Sequence, residues 1–238
     1  MTQAMAKGSN LTVQAAAVRA VLRWTPGVGV PDVDASLLLI GDEGTVRSDE
    51  DFVFYNQPRH PSGLARKLPK KRHGDRYTDT VEAQLARQPA SVDQLVLAAS
   101  TDPDDPGTFG QVKDLRLELH DALAPAGAGA AEPFAYFDIA PETGSESALI
   151  CGEFYRRGGE WKFRALGQGY ESGLIGLATE FGVAVDESPA GEPAAAASAP
   201  AASAAASAPA AGARQPAAAY GYPPAFTLPP QGPQFIGR

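Results

Sequence analysis

The chain has 238 residues, in which 28 Asp+Glu outnumber 20 Lys+Arg for a formal net charge of −8. That length allows one domain with a sizeable core, and that balance argues against general nucleic-acid affinity while favouring solubility or cation binding. Cys151 is the single cysteine, so an intrachain disulfide is excluded; within Ala148-Leu149-Ile150-Cys151 it reads as a buried inert thiol suited to a reducing cytoplasm. The opening MTQAMAKGSN has no apolar signal core, and no run of about eighteen apolar residues occurs, so secretion and a membrane span are both disfavoured.

From Leu11 to Trp24, Val13, Val18, Val21 and Leu22 are spaced by alanines and suit an opening strand ended by Thr25-Pro26-Gly27, with a helix as the competing reading. Leu37, Leu38, Leu39 and Ile40 then form a continuous apolar run. A Gly41-Asp42-Glu43-Gly44 turn and Phe52, Val53, Phe54 and Tyr55 follow, which predicts two buried strands joined by a polar connection. Just ahead of the first, Asp32 and Asp34 are two residues apart, so in extended chain they share a face. Two carboxylates on one face repel unless something positive lies between them. Residues 59–76 hold seven of the cations against the one acid Asp75, and Pro61, Gly63, Pro69 and Gly74 there predict a long surface loop.

Strand character resumes at Val92-Asp93-Gln94-Leu95-Val96-Leu97, and the Pro- and Asp-rich residues 101–107 predict a turn. Leu115, Leu117 and Leu119 alternate with Arg116, Glu118 and His120, the period-2 pattern of a strand with one wet face. A Gly/Ala loop over residues 124–131 precedes a strand at 134–139. The clearest hairpin runs from Ala148 to Tyr155, turns through Arg157-Gly158-Gly159-Glu160 and returns along Trp161 to Leu166. Leu174, Leu177, Ala178 and Phe181 fall at helical spacing, with Ser172 as cap and Gly182 as stop. Many short strands with one late helix predict an all-β fold, an antiparallel β-sandwich.

Residues 188–219 reduce to Ala, Pro, Ser and Gly with only Glu192 and Arg214 charged, which predicts a disordered, semi-stiff linker. Tyr220, Tyr222, Phe226, Leu228, Phe235 and Ile236 among prolines end the chain and could dock on a partner in polyproline form or at a sheet edge. An unattached tail is the equal alternative. The expected organisation is a domain over residues 1–187 and a tail over 188–238.

Several separated blocks together resemble the TerD family of bacterial tellurite-resistance and stress proteins. They are Lys7-Gly8-Ser9-Asn10-Leu11; Asp32-Val33-Asp34-Ala35-Ser36; Val46-Arg47-Ser48-Asp49; Phe52-Val53-Phe54-Tyr55-Asn56; Thr108-Phe109-Gly110-Gln111-Val112; Gly152-Glu153-Phe154-Tyr155-Arg156; Glu160 to Ala165; and Gly167-Gln168-Gly169-Tyr170. The resemblance implies the same β-sandwich, a role in stress or tellurite response, and other TerD-like or stress-response proteins as partners. It also implies calcium bound by clustered acids, of which Asp32, Asp34 and Asp79 are the candidates here. Where the family carries a second, Gly-rich acidic loop, this chain reads LARKLPKKRHGDRYTDTVEAQL. Calcium takes six to eight oxygen ligands, usually with several carboxylates, so three acids beside a basic segment leave its shell short.

That departure suggests that a Lys or Arg of residues 66–76 folds over Asp32 and Asp34 and supplies the charge of the metal. A solvated, disordered basic loop is the competing reading. Lys67, Lys70, Lys71 and Arg72 could instead meet an anion, although only Tyr77 is nearby for base stacking. No catalytic set emerges: His60, His73 and His120 pair with no Ser or Cys in a known motif, and Cys151 lacks any sign of activation. Gly167, Gly169 and Gly173 miss the dinucleotide-loop spacing, and tight packing against Trp161 or Tyr170 accounts for the first two. The expected function is thus non-enzymatic, with an adaptor working through the tail and a metal-dependent hydrolase as the other two classes.

Overall fold

The computed structural model describes residues 2–102, 107–124 and 132–184. Twelve strands and one helix follow in order: β1 (Gln3–Met5), β2 (Asn10–Thr12), β3 (Val18–Thr25), β4 (Val33–Ile40), β5 (Phe52–Val53), β6 (Ala65–His73), β7 (Arg76–Ala83), β8 (Gln94–Thr101), β9 (Lys113–Asp121), β10 (Ala135–Asp138), β11 (Ala148–Arg157), β12 (Glu160–Tyr170) and α1 (Gly173–Glu180). They form two six-stranded sheets, ordered β1-β10-β9-β3-β7-β6 and β2-β12-β11-β8-β4-β5. Neighbours run antiparallel except β1 and β10. The expected β-sandwich with one short late helix is what the chain forms.

Strict alternation builds the first sheet. Val18, Ala20, Leu22 and Trp24 of β3 and Leu115, Leu117 and Leu119 of β9 face the core, where they pack with Leu37, Leu39, Leu95, Leu97, Phe154 and Phe163 of the second sheet. The second sheet is buried on both sides. Leu38, Ile40, Val96, Ala98 and Ile150 belong to a separate cluster closed by Leu177 and Ala178 of α1, with Leu174 and Phe181 packed at its margin. Two-sided burial is the reason Leu37 to Ile40 reads as an unbroken apolar run and not as an alternating one.

Local chemistry sets the joints. Gly158 and Gly159 hold φ of 64° and 83° in the two-residue turn between β11 and β12, a conformation that side chains with a Cβ resist. Gly182, at φ 79°, ends α1 with its N–H on Thr179. Ser172 occupies the N-cap position as expected, but its side chain makes no capping bond.

Four expectations need correction. The opening strand is two strands in different sheets, β2 and β3, because the alanines at 15–17 lie at the crossover between them. Residues 59–76 are not a long loop: β6 and β7 form a hairpin there. Pro69 breaks no central ladder because β6 is an edge strand, and Pro69 sits where the register shifts between Leu68 and Lys71, so its missing N–H goes unneeded. The predicted strand at 52–55 stops after Val53, and Tyr55 is exposed. Gly167 and Gly169 pack against Phe137 and Glu146, not against Trp161 or Tyr170. The predicted tail at 188–238, most of the turn at 101–107 and most of the loop at 124–131 lie outside the described residues.

The fully buried Phe163 touches both the core and Phe154, whose ring centroid is 4.8 Å away, whereas Ile175 of α1 is 54% exposed. Phe163→Ala should therefore cost about 3–5 kcal/mol in denaturant unfolding, and Ile175→Ala less than about 0.5 kcal/mol.

Candidate functional site

β4 is flanked on one side by β8 and on the other by β5, which reaches only Leu37 and Leu38. On the β5 side the backbone at Ala35 therefore lacks a neighbouring strand, and an unpaired buried N–H or C=O is costly. Two side chains of the opposite sheet supply the bonds. Asp79 of β7 accepts the Ala35 N–H at Oδ2 at 2.7 Å, and Lys67 of β6 donates to the Ala35 carbonyl at 3.1 Å. The same Lys67 ammonium also bonds Asp79 Oδ2 and lies 3.3 Å from Asp34 Oδ1. An ammonium has three donors, and here three acceptors surround it.

Lys70 continues the cluster outward. Its Nζ lies 2.6 Å from Asp32 Oδ2, 3.4 Å from Asp34 Oδ1 and 5.6 Å from the centre of the Trp24 ring. Asp32 and Asp34 thus reach one cation together, as their spacing predicts. Burial deepens inward, from Asp32 at 39% side-chain exposure through Asp34 at 18% to Asp79 at 0%.

Electrostatics follow from that gradient. Burial raises the Asp79 carboxyl above its ordinary range against the pull of Lys67 and the Ala35 N–H. Burial pulls Lys70 down, but the Asp32 bond and the charges of Asp34, Asp32 and Asp79 outweigh it and hold the ammonium above its usual value.

A β-bulge lets both lysines face inward. Lys67 pairs with Val81 and Leu68 with Thr80, but Lys71 pairs with Thr78, so Pro69 and Lys70 together oppose Asp79. Residues three apart on a regular strand point to opposite faces; the extra residue restores Lys70 to the side of Lys67.

The three sequence candidates Asp32, Asp34 and Asp79 are brought into one site, but as partners of lysines. The arrangement does not fit a resident calcium ion. Both ammonium groups stand among the carboxylates, and among the described residues no three Asp, Glu, His or Cys side chains converge closely enough to hold a metal.

Three other cations of residues 59–76 are also engaged. Arg66 bonds Glu82 at 2.5 Å and Arg19 bonds the same carboxylate at 2.7 Å; Arg72 lies over Tyr77; Arg76 is 3.9 Å from Asp114. Burial would raise Glu82, but its two arginines hold it below the ordinary range.

A second carboxylate escaped the sequence reading. Asp51, 2% exposed, accepts from Arg47 Nε at 2.8 Å and Nη2 at 2.5 Å, and it lies 2.9 Å from His60 Nε2. His60 Nδ1 in turn lies 2.7 Å from Ser62 Oγ. So His60 does have a serine and an aspartate beside it, contrary to the sequence expectation. The guanidinium already balances Asp51, however, and Ser62 accepts the Leu64 N–H in the same turn, which gives these bonds a loop-fastening job. Burial works to raise Asp51, yet the bonds from Arg47 and His60 leave it lowered. His60-x-Ser62 is visible in the sequence; Asp51 carries no motif that would join it to them. Buried Glu146 accepts the N–H groups of Thr143 and Gly144, both at 2.7 Å, and Gly169 leaves room for it. Burial pushes Cys151 up to about 12, as an inert thiol requires.

Fold and site together define an all-β sandwich domain whose exposed strand edge is closed by lysine–aspartate pairs from the facing sheet. The chain belongs to the TerD family, whose TerD domain matches residues 1–181. It is 31% identical to "Tellurium resistance protein TerD" of Serratia marcescens over 77% of this chain and 98% of that protein. It is likewise 31% identical to "General stress protein 16U" of Bacillus subtilis over 65% of this chain and 79% of the relative. The crystal structure of a homologue of telluride resistance protein (TerD) from Streptomyces coelicolor A3(2) shares the fold with a TM-score of 0.52 at 18% identity, covering 69% of this chain and 95% of that one.

The depressed Glu82 and Asp51 set an acid limit. A carboxylate lowered in the folded state contributes stability above its unfolded value, 4.5 for Glu and 3.8 for Asp, and loses it as pH falls through the folded value. Asp79, shifted upward, opposes this: its contribution is largest at low pH and is lost as pH rises through its folded value. Between about pH 6 and pH 3 the melting temperature should fall, and Glu82→Gln should start lower and fall less, as read by circular dichroism.

Proposed function

We propose that the chain is a non-catalytic stress-resistance protein of the TerD type that works in the cytoplasm and protects against tellurite or related chemical damage. The observation that carries this reading is the near-complete span of a protein named for tellurium resistance, 98% of its length, by a single uninterrupted domain. Site chemistry supports the non-catalytic part. Asp79, Glu82 and Asp51, three of the four buried acids with shifted proton affinity among the described residues, are each tied to cations that are themselves part of the fold, and the fourth, Glu146, is held by the Thr143 and Gly144 N–H groups. Cys151 is fully buried, with its thiolate disfavoured. Among the described residues no helix is long and apolar enough to cross a membrane.

Disrupting the gene in its host should lower survival on tellurite, and the full chain supplied in trans should restore it. Ser62→Ala should restore it equally, because Ser62 fastens a turn. Unchanged tolerance on disruption overturns the resistance role, and loss of rescue by a folded Ser62→Ala protein overturns the non-catalytic reading.

A further inference from the structure

The cluster at the β4 edge has a charge count that asks for an explanation. Three carboxylates, one of them wholly buried, lie beside a backbone carbonyl; oxygen ligands of this type are what a hard divalent cation takes, but the three do not converge closely enough to hold one. Lys67 and Lys70 supply two positive charges, the formal charge of one such ion. Both come from one edge strand, and both face inward only because of the bulge at Pro69-Lys70.

We infer that the ammonium groups of Lys67 and Lys70 are a built-in substitute for a divalent cation, so that the domain folds and holds its acidic site without metal. The positions support this atom by atom. Lys67 Nζ bridges Asp34, Asp79 and the Ala35 carbonyl, and Lys70 Nζ bridges Asp32 and Asp34. Asp34 is shared, as a bridging carboxylate would be. The buried Asp79 needs a counter-charge in every state in which it is ionised, since an unpaired buried charge is strongly destabilising. A tethered ammonium provides one that chelators cannot strip.

This inference concerns the source of the positive charge and stands independently of the resistance role; its experiment reads stability and heat, and not survival. The full chain is unfolded thermally in EDTA and in about 1 mM calcium chloride, and calcium is titrated by calorimetry. For the unaltered protein the two melting temperatures should agree and the titration should be flat. Lys67→Ala/Lys70→Ala should melt several degrees lower, equally in EDTA and in calcium, with a flat titration. Adding Asp79→Asn should recover part of that loss, because it removes the buried charge left unpaired.

If the double variant folds in neither solution, Lys70→Ala carries the test. Lys70→Ala alone, which removes the more exposed ammonium, should show a smaller loss, again the same in EDTA and in calcium. Micromolar calcium binding by the unaltered chain overturns the inference, and so does a double variant that melts with the unaltered chain.

Discussion

The bond pattern at Ala35 is the constraint on which the molecule turns. A two-sheet sandwich leaves strand edges, and each edge leaves backbone donors and acceptors that must be paired, covered or wetted. β4 is buried on both faces, so water is a poor partner for its open edge. An acid and a base from the opposite sheet do what a thirteenth strand would do. Because Asp79 belongs to β7 and Lys67 to β6, while Ala35 belongs to β4, this pair of side chains, with Lys70 on Asp32 and Asp34, adds directional bonds between the two sheets to the apolar packing. Apolar contacts are non-directional and tolerate sliding; hydrogen bonds to a particular N–H and C=O do not.

The basic segment makes sense in that light. Its cations look like a single patch in the sequence, yet the hairpin deals them to two faces. Arg66 goes outward to Glu82, which Arg19 shares, while Lys67 and Lys70 go inward. A strongly charged edge strand also protects itself, since a second chain cannot pair with it without burying these charges or meeting the Pro69 bulge. Stability, sheet register and protection from edge-to-edge association thus draw on one nine-residue strand.

Much of this was legible beforehand. Alternation in 115–119, the Gly158-Gly159 turn and the helical spacing of Leu174, Leu177, Ala178 and Phe181 each report local rules, and local rules survive folding. The pairing of Asp32 with Asp34 and the need for a cation between them followed from period-2 geometry alone. Pro69 and Gly74 misled because a breaker residue says only that a regular central ladder is excluded; edge position and a bulge are tertiary facts that spacing does not encode. The same limit hid Asp51. Its partners, Arg47 and His60, are four and nine residues away, and only the fold of the connection after β4 brings all three together.

Why two lysines and not a metal is a question about coupling. A diffusible cation adds stability in proportion to the logarithm of its concentration over its dissociation constant, so a metal-held edge loosens when the ion is scarce. Tethered ammonium groups carry no such dependence, but they lose side-chain entropy on being fixed and must be desolvated. Here those costs are partly met by geometry: Lys67 finds three acceptors at once, and Lys70 lies against the Trp24 face as well as between two carboxylates. The consequence is structural as much as thermodynamic. A metal could leave the edge strand in place when it departs; lysines cannot, because the charge that satisfies Asp79 arrives only when β6 has docked, so closure of the acidic site and completion of the first sheet become one event.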